Sequence, residues 1–348
     1  MIDSKILLSL LNNIKFKEKN MKRHNIMSDT IKKVYDEMVT KDYFSFEGKL
    51  KAGIFIDPGL GSAQAQKINS FIHGYDGDND DRIISVSDVY CQKIWITCFI
   101  CANLLTEAGL FKQNSDNKIT LSGEYNLTDE IKAIVLDECK AFLQTKLSLL
   151  KEDDKVNNIS EKLIDDIQDM QGCDIRNYNI KQSVAMWITE YAIRMLLLHE
   201  YSHIINNDNE NEEIDTLIEH EKRADIVAYT ALAKKENYTI TYLGALCLQS
   251  SGLFLNHSLE GIFHPDTDVR IEYIYNLLPK CEIFKDCLEI FISLWAHVNN
   301  QEESFLQLAQ SMSPESLFGY LETKKKEQIN QIIEEGQKHF INNRNTTK

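Results

Sequence analysis

LLLHEYSHIIN, residues 196–206, sets two histidines four positions apart, with a glutamate directly after the first. Side chains on an α-helix turn by about 100° per residue, so His199 and His203 lie one above the other on one face and can grip one ion together. Glu200 points about 100° away from His199, within reach of a group bound to that ion but badly placed to bind it directly. That is the position of a general base. The surrounding segment AMWITEYAIRMLLLHEYSHII (185–205) is apolar on nearly every side, which predicts a buried central helix. A pair of buried histidines donating to backbone carbonyls also fits this motif alone, so the decision rests on the rest of the chain.

A catalytic zinc takes three protein ligands and keeps one position open. The segment EEIDTLIEHEKRADIVAYTALAKK (212–235) offers the third. As a helix it places Ile214, Leu217, Ile218, Ala224 and Ala228 on one stripe, and Glu221 and Asp225 fall on the same stripe. Buried unpaired carboxylates are costly, so a cation or strong donors should face them. Glu221 is therefore assigned as the third ligand to one Zn2+ per chain, and Asp225 as the acceptor that fixes one ligand histidine ring. The competing reading pairs both carboxylates with Lys or Arg on a neighbouring helix. Glu219 and His220 point elsewhere, toward solvent. The polar stretch NNDNENEE (206–213) supplies a reversal, giving two antiparallel helices with the metal between them.

HEYSH followed by EKRAD resembles the gluzincin metallopeptidases, whose pattern is HExxH followed by ExxxD. Downstream, GIFHPDTDVRIEYI (261–274) resembles the HPxxxxRI segment of HtpX-type peptidases and of the Lit-like phage-exclusion peptidases. The resemblance implies that the metal lowers the pKa of its water and that Glu200 takes the proton as this water attacks a carbonyl. It also implies that His264 donates to the developing oxyanion, with Arg270 orienting substrate or supporting the site. Pro265 and Asp266 suit a helix start, which fits equally a surface helix with a solvated histidine. NSFIHGYDGDNDDRIISVSD (69–88) looks like the asparagine-led hairpin and edge strand above the metal in such enzymes, where a substrate peptide binds as an added strand. Asp266 stands where HtpX-type enzymes commonly have proline, and their membrane helices are missing, so the chain looks closer to the Lit-like group. That group implies intracellular proteolysis in phage defence, including cleavage of a translation factor. Peptidases of the ImmA/IrrE type, which cleave repressors, share the HExxH and glutamate helices, and the HPDTDVRI segment favours the former.

Composition sets the frame. The 348 residues carry 38 Lys and Arg against 53 Asp and Glu, net −15, which argues against nucleic acid or an anionic membrane as main partner. The eight cysteines show no framework spacing, and Cys98-x-x-Cys101 lies in apolar sequence, so buried thiols and a reducing compartment are expected. The longest apolar run, IWITCFICANLL (94–105), is short of the roughly 20 residues that span a bilayer, and the first twenty residues lack a secretory signal. A cytoplasmic location follows. DGDND (76–80) imitates an EF-hand opening, but Asp81 and Ser87 stand where the loop needs glycine and glutamate. PGLGSAQAQ (58–66) reads as a turn into a helix.

Four prolines and fourteen glycines leave long helical-period stretches, while AGIFID (52–57), NSFIHG (69–74) and DRIISVSD (81–88) have strand character. The expected fold is α+β and predominantly α-helical, a zincin-like metallopeptidase with a small N-terminal sheet and edge strand over the active-site helix. One metallopeptidase domain is expected over 1–300, with helices and sheet to 110, helices over 111–178 and the catalytic helices over 179–300. Residues 301–348 form a helical extension with a frayed end. The expected function is a zinc-dependent endopeptidase acting on a cytoplasmic protein or peptide. Its rivals are another zinc hydrolase, such as an amidase, and a non-catalytic binding protein with the metal as a clamp, closed by His220, His257 or His264.

Overall fold

The computed structural model describes residues 27–44, 52–57, 71–73, 82–114, 119–152, 180–206, 208, 213–235, 238–255, 267–278, 282–298 and positions 316, 318–320 and 323. The chain is mostly helical with a small amount of sheet, an α+β fold. Its helices are α1 (27–40), α2 (Asp88–Glu107), α3 (Asp129–Glu152), α4 (Ile180–Asn206), α5 (Ile214–Lys235), α6 (Tyr238–Ser250), α7 (Gly252–Leu255), α8 (Thr267–Leu277) and α9 (Glu282–Val298).

Helix α4 carries the two histidines and runs through the core. Seventeen of its 27 residues are buried, too many for a single stripe, so neighbours must cover it on several sides. Helices α2, α5 and α6 do so, together with both sheets. Leu196, Leu197 and Leu198 all lie inside, each stabilising the fold by about 1.5–3 kcal/mol through removal from water. The approach of α6 is close because Gly244 has no side chain: a Cβ there would meet Tyr191 Cβ at 2.7 Å and Ala192 N at 2.9 Å. Arg194, buried on the same helix, pairs through Nη2 with Glu37 of α1 and stacks over Tyr191 at 4.5 Å.

The helix ends follow from local chemistry. Thr128 Oγ1 accepts the N–H of Ile131 at 3.2 Å and caps α3, whose first turn holds Asp129 and Glu130. Helix α2 ends with Gly109 at φ 81°, Leu110 N bonding Leu105 O and Gly109 N bonding Thr106 O, a Schellman closure.

The three predicted strands form where expected: β1 (Ala52–Asp57), β2 (Phe71–His73) and β3 (Arg82–Ser87), in the order β1-β3-β2. β3 pairs parallel with β1 and antiparallel with β2, and Ile84 and Val86 turn inward to the core. A second antiparallel pair, β4 (Phe111–Gln113) with β5 (Ile119–Leu121), occupies the start of the 111–178 stretch, where only helices are expected. Phe111, buried edge-on against Trp187, anchors this hairpin.

Cys91, Cys98, Cys101, Cys139, Cys247 and Cys287 are buried and not disulfide-bonded, with Cys101 and Cys287 in contact at 3.6 Å between sulfurs. Among the described residues no helix is long and apolar enough to cross a membrane. Phe318 packs on Tyr275 of α8, so part of the sequence after 300 joins the same core. The first twenty residues, PGLGSAQAQ, DGDND, His257, His264, Pro265, Asp266, Cys173 and Cys281 lie outside the described residues.

Candidate active site

Helices α4 and α5 reverse through a short connection, and their contacts run in opposite senses: His203 meets Glu221, while His199 meets both Glu221 and Asp225. The two Nε2 atoms are 3.2 Å apart; Glu221 Oε2 lies 3.2 Å from that of His199 and Oε1 lies 3.4 Å from that of His203. The far side of each ring meets a carboxylate, His199 Nδ1 to Asp225 Oδ1 at 2.8 Å and His203 Nδ1 to Asp208 Oδ2 at 2.9 Å. A carboxylate only accepts, so each Nδ1 carries the proton. The Nε2 lone pairs of neutral rings then converge on one point beside an anionic oxygen, an arrangement that requires a cation or further protons. His199, His203 and Glu221 form a group that could hold a metal ion.

The field at this point is strongly negative. Burial alone would push His199 down, yet the charges of Glu221 and Asp225 raise it to about 10. His203 is raised too, burial and the His199 charge being outweighed by Glu221 and Asp208. The same field would favour a cation at this point. Glu221, Asp225 and Asp208 meet two guanidinium groups, Arg270 and Arg223, and Glu200 is buried next to His199 on α4; with these four carboxylates ionised and the imidazoles neutral, two negative charges remain. One divalent ion would balance them.

Asp225 is enclosed. Beside His199 it accepts Arg270 Nε at 3.0 Å on Oδ2, with Arg270 Nη2 at 2.8 Å and Gln249 Nε2 of α6 at 3.0 Å on Oδ1. Burial would raise its pKa, but Arg270 first and His199 next hold it at about 2, so it stays ionised. Both sequence readings of Asp225 are thus combined, a histidine holder that is also an arginine partner. Arg270 lies on α8, its Nη1 3.9 Å from Glu221 Oε2, and its contacts are with the site's own carboxylates.

Glu200 is buried beside His199 on α4. Its charge acts on Tyr90 of α2, whose phenol bonds Ser251 and also senses Arg270; burial above all raises that phenol to about 12. Sequence reading missed Tyr90, Asp208 and Gln249. It also placed His220 in solvent, whereas the ring is only 15% exposed, with Nδ1 3.6 Å from Asp208 Oδ1. Aspartate in the turn draws this histidine inward. Glu219 does face solvent and pairs with Lys222 at 2.8 Å.

The stretch from residue 84 to residue 282 matches the family model described as Peptidase U49. The chain belongs to the peptidase U49 family. Every residue of the cluster, from Tyr90 to Arg270, lies inside the matched stretch. As a family of peptidases, U49 points to peptide-bond hydrolysis in a protein or peptide substrate. No curated protein and no solved structure matches the chain.

Proposed function

We propose that this chain is a zinc-dependent endopeptidase of gluzincin type, with a zincin-like arrangement of sheet edge and active-site helix. The carrying observation is the spacing of the three ligand atoms. Zinc bound tetrahedrally at about 2.0–2.1 Å separates its ligand atoms by about 3.3–3.4 Å. Here the two Nε2 atoms are 3.2 Å apart, Glu221 brings Oε2 to 3.2 Å from His199 and Oε1 to 3.4 Å from His203, and one ligand atom from each residue lies within 4.8 Å of the others. The donor set of two imidazoles and a carboxylate suits zinc, and a count of three leaves a position open for chemistry.

When bound, zinc would supply a Lewis acid at the scissile carbonyl and acidify water. His199, His203 and Glu221 hold it. Glu200 takes the proton from the attacking water and returns it to the leaving amine nitrogen. Asp225 fixes the His199 ring, and Arg270 fixes Asp225. His264, by resemblance to the HPxxxxRI enzymes, donates to the oxyanion. The same resemblance favours the Lit-like peptidases, hence a cytoplasmic protein target such as a translation factor and a role in phage defence. Residues 1–300 make up the peptidase domain in this reading, with 301–348 as an extension.

The test compares wild type with Glu200→Gln. Zinc content should stay near one per chain in both, while the cleavage rate falls by about 10²–10⁴ in the variant. Mapping new protein termini in a bacterial lysate identifies the target from wild type alone. Undiminished cleavage by Glu200→Gln would remove the mechanism.

A further inference from the structure

We infer that Asp208 is a positioning residue for His203, and that Arg223 holds Asp208 in that role. This rests on the metal reading above and extends it to a residue outside the His-Glu-x-x-His and glutamate helices. Asp208 sits just past the end of α4, five residues after His203, with its side chain only 8% exposed. Two links tie it to His203: its backbone N–H donates to the His203 carbonyl at 3.1 Å, and its Oδ2 accepts from His203 Nδ1 at 2.9 Å. The other oxygen, Oδ1, accepts from Arg223 Nη2, with His220 Nδ1 3.6 Å away.

The division of labour between the oxygens is what makes this a positioning device. An Nδ1–H held by a carboxylate fixes both the tautomer and the rotation of the imidazole, so that Nε2 presents its lone pair toward Glu221 and His199. A lone aspartate in a turn would be free to swing to water. Arg223 and His220 both come from α5, the helix that carries Glu221, so the contact also ties Asp208, just past the end of α4, to the second ligand helix. Asp208 thereby does for His203 what Asp225 does for His199, from a different part of the chain and with its own arginine.

The experiment measures zinc affinity by chelator competition, and the absorption spectrum of the cobalt(II)-loaded chain, for wild type, Asp208→Ala, Asp208→Asn, Arg223→Gln and Glu221→Ala. Asp208→Ala should weaken zinc binding by about 10–100-fold, and Asp208→Asn, which keeps an acceptor for Nδ1, by less. Arg223→Gln alters a side chain that is 42% exposed, so it should lower zinc affinity, with a smaller drop in the melting temperature of the zinc-free chain than the one expected for Arg270→Met. The cobalt spectrum of Asp208→Ala should shift, which a purely structural role of the turn would not produce. Wild type binding one zinc, Glu221→Ala losing it, and both Asp208→Ala and Arg223→Gln binding within about twofold of wild type would overturn the assignment and leave the metal reading intact. Wild type binding no zinc would remove the metal reading and this assignment with it.

Discussion

Replacing Arg270 by methionine keeps an unbranched apolar stem and removes the guanidinium from Asp225. Asp225 is 1% exposed and has four bonds from three partners, two of them from Arg270 at 2.8 and 3.0 Å. Stripping one partner from a buried ion pair costs about 3–5 kcal/mol, because the remaining charge stays buried. Arg270 is itself 22% exposed, which puts the expectation at the lower end, about 3 kcal/mol. At about 2 °C per kcal/mol for a chain of this size, the melting temperature should drop by about 6 °C. The sign with pH follows from the depressed carboxyl. Asp225 moves from 3.8 to about 2 on folding, so it contributes about 2 kcal/mol that is fully present above the unfolded value and lost as pH falls through the folded one. Without Arg270 the folded value rises and the acid unfolding limb moves to higher pH. Urea unfolding at pH 7 and pH 3, with chelator present, reads both effects. Adding Asp225→Asn should recover about 1–3 kcal/mol by removing the stranded charge. A loss below about 1 kcal/mol in Arg270→Met, or strict additivity of the two changes, would refute the reasoning.

Gly244→Ala should destabilise by about 1–3 kcal/mol, since its methyl meets the backbone of α4 at Tyr191 and Ala192 rather than a flexible side chain; an unchanged melting temperature would contradict the close crossing. Removing zinc with a chelator should lower the melting temperature of wild type, by about 4 kcal/mol in stability when free zinc had stood at a thousand times its Kd. Glu221→Ala should abolish that response, as measured by thermal unfolding with and without chelator. Leu197→Ala, at a fully buried position of α4, should cost about 2–5 kcal/mol in urea unfolding, and a smaller loss would mean that the core collapses around the deletion.

The central helix and its partner were legible because burial and charge conflict there. An all-round apolar segment carrying HEYSH, and a core stripe carrying Glu221 and Asp225, each demand compensation that only another element can supply. The three strands were legible too, from β-rich stretches between turn signals. Asp208 was not: it lies in NNDNENEE, where acidic and amide residues are ordinary turn formers, and its spacing from His203 matters only once α5 folds back with Arg223 and His220. Gln249 carried a weak signal as a polar residue closing an apolar helix, one that a search for buried amides would have found. Tyr90 carried none, being one of fourteen tyrosines until the start of α2 is set beside Ser251 and Arg270. The β4–β5 hairpin is specified by tertiary burial of Phe111 more than by local pattern.

Zinc-edge X-ray absorption on the purified chain bears most directly on the proposed metal centre. One zinc per chain is expected, bound only by light atoms at about 2.0–2.1 Å, with the histidine signature lost in a His199→Ala, His203→Ala double variant. A chain without zinc, or one whose zinc sits among sulfurs at about 2.3 Å, would contradict it.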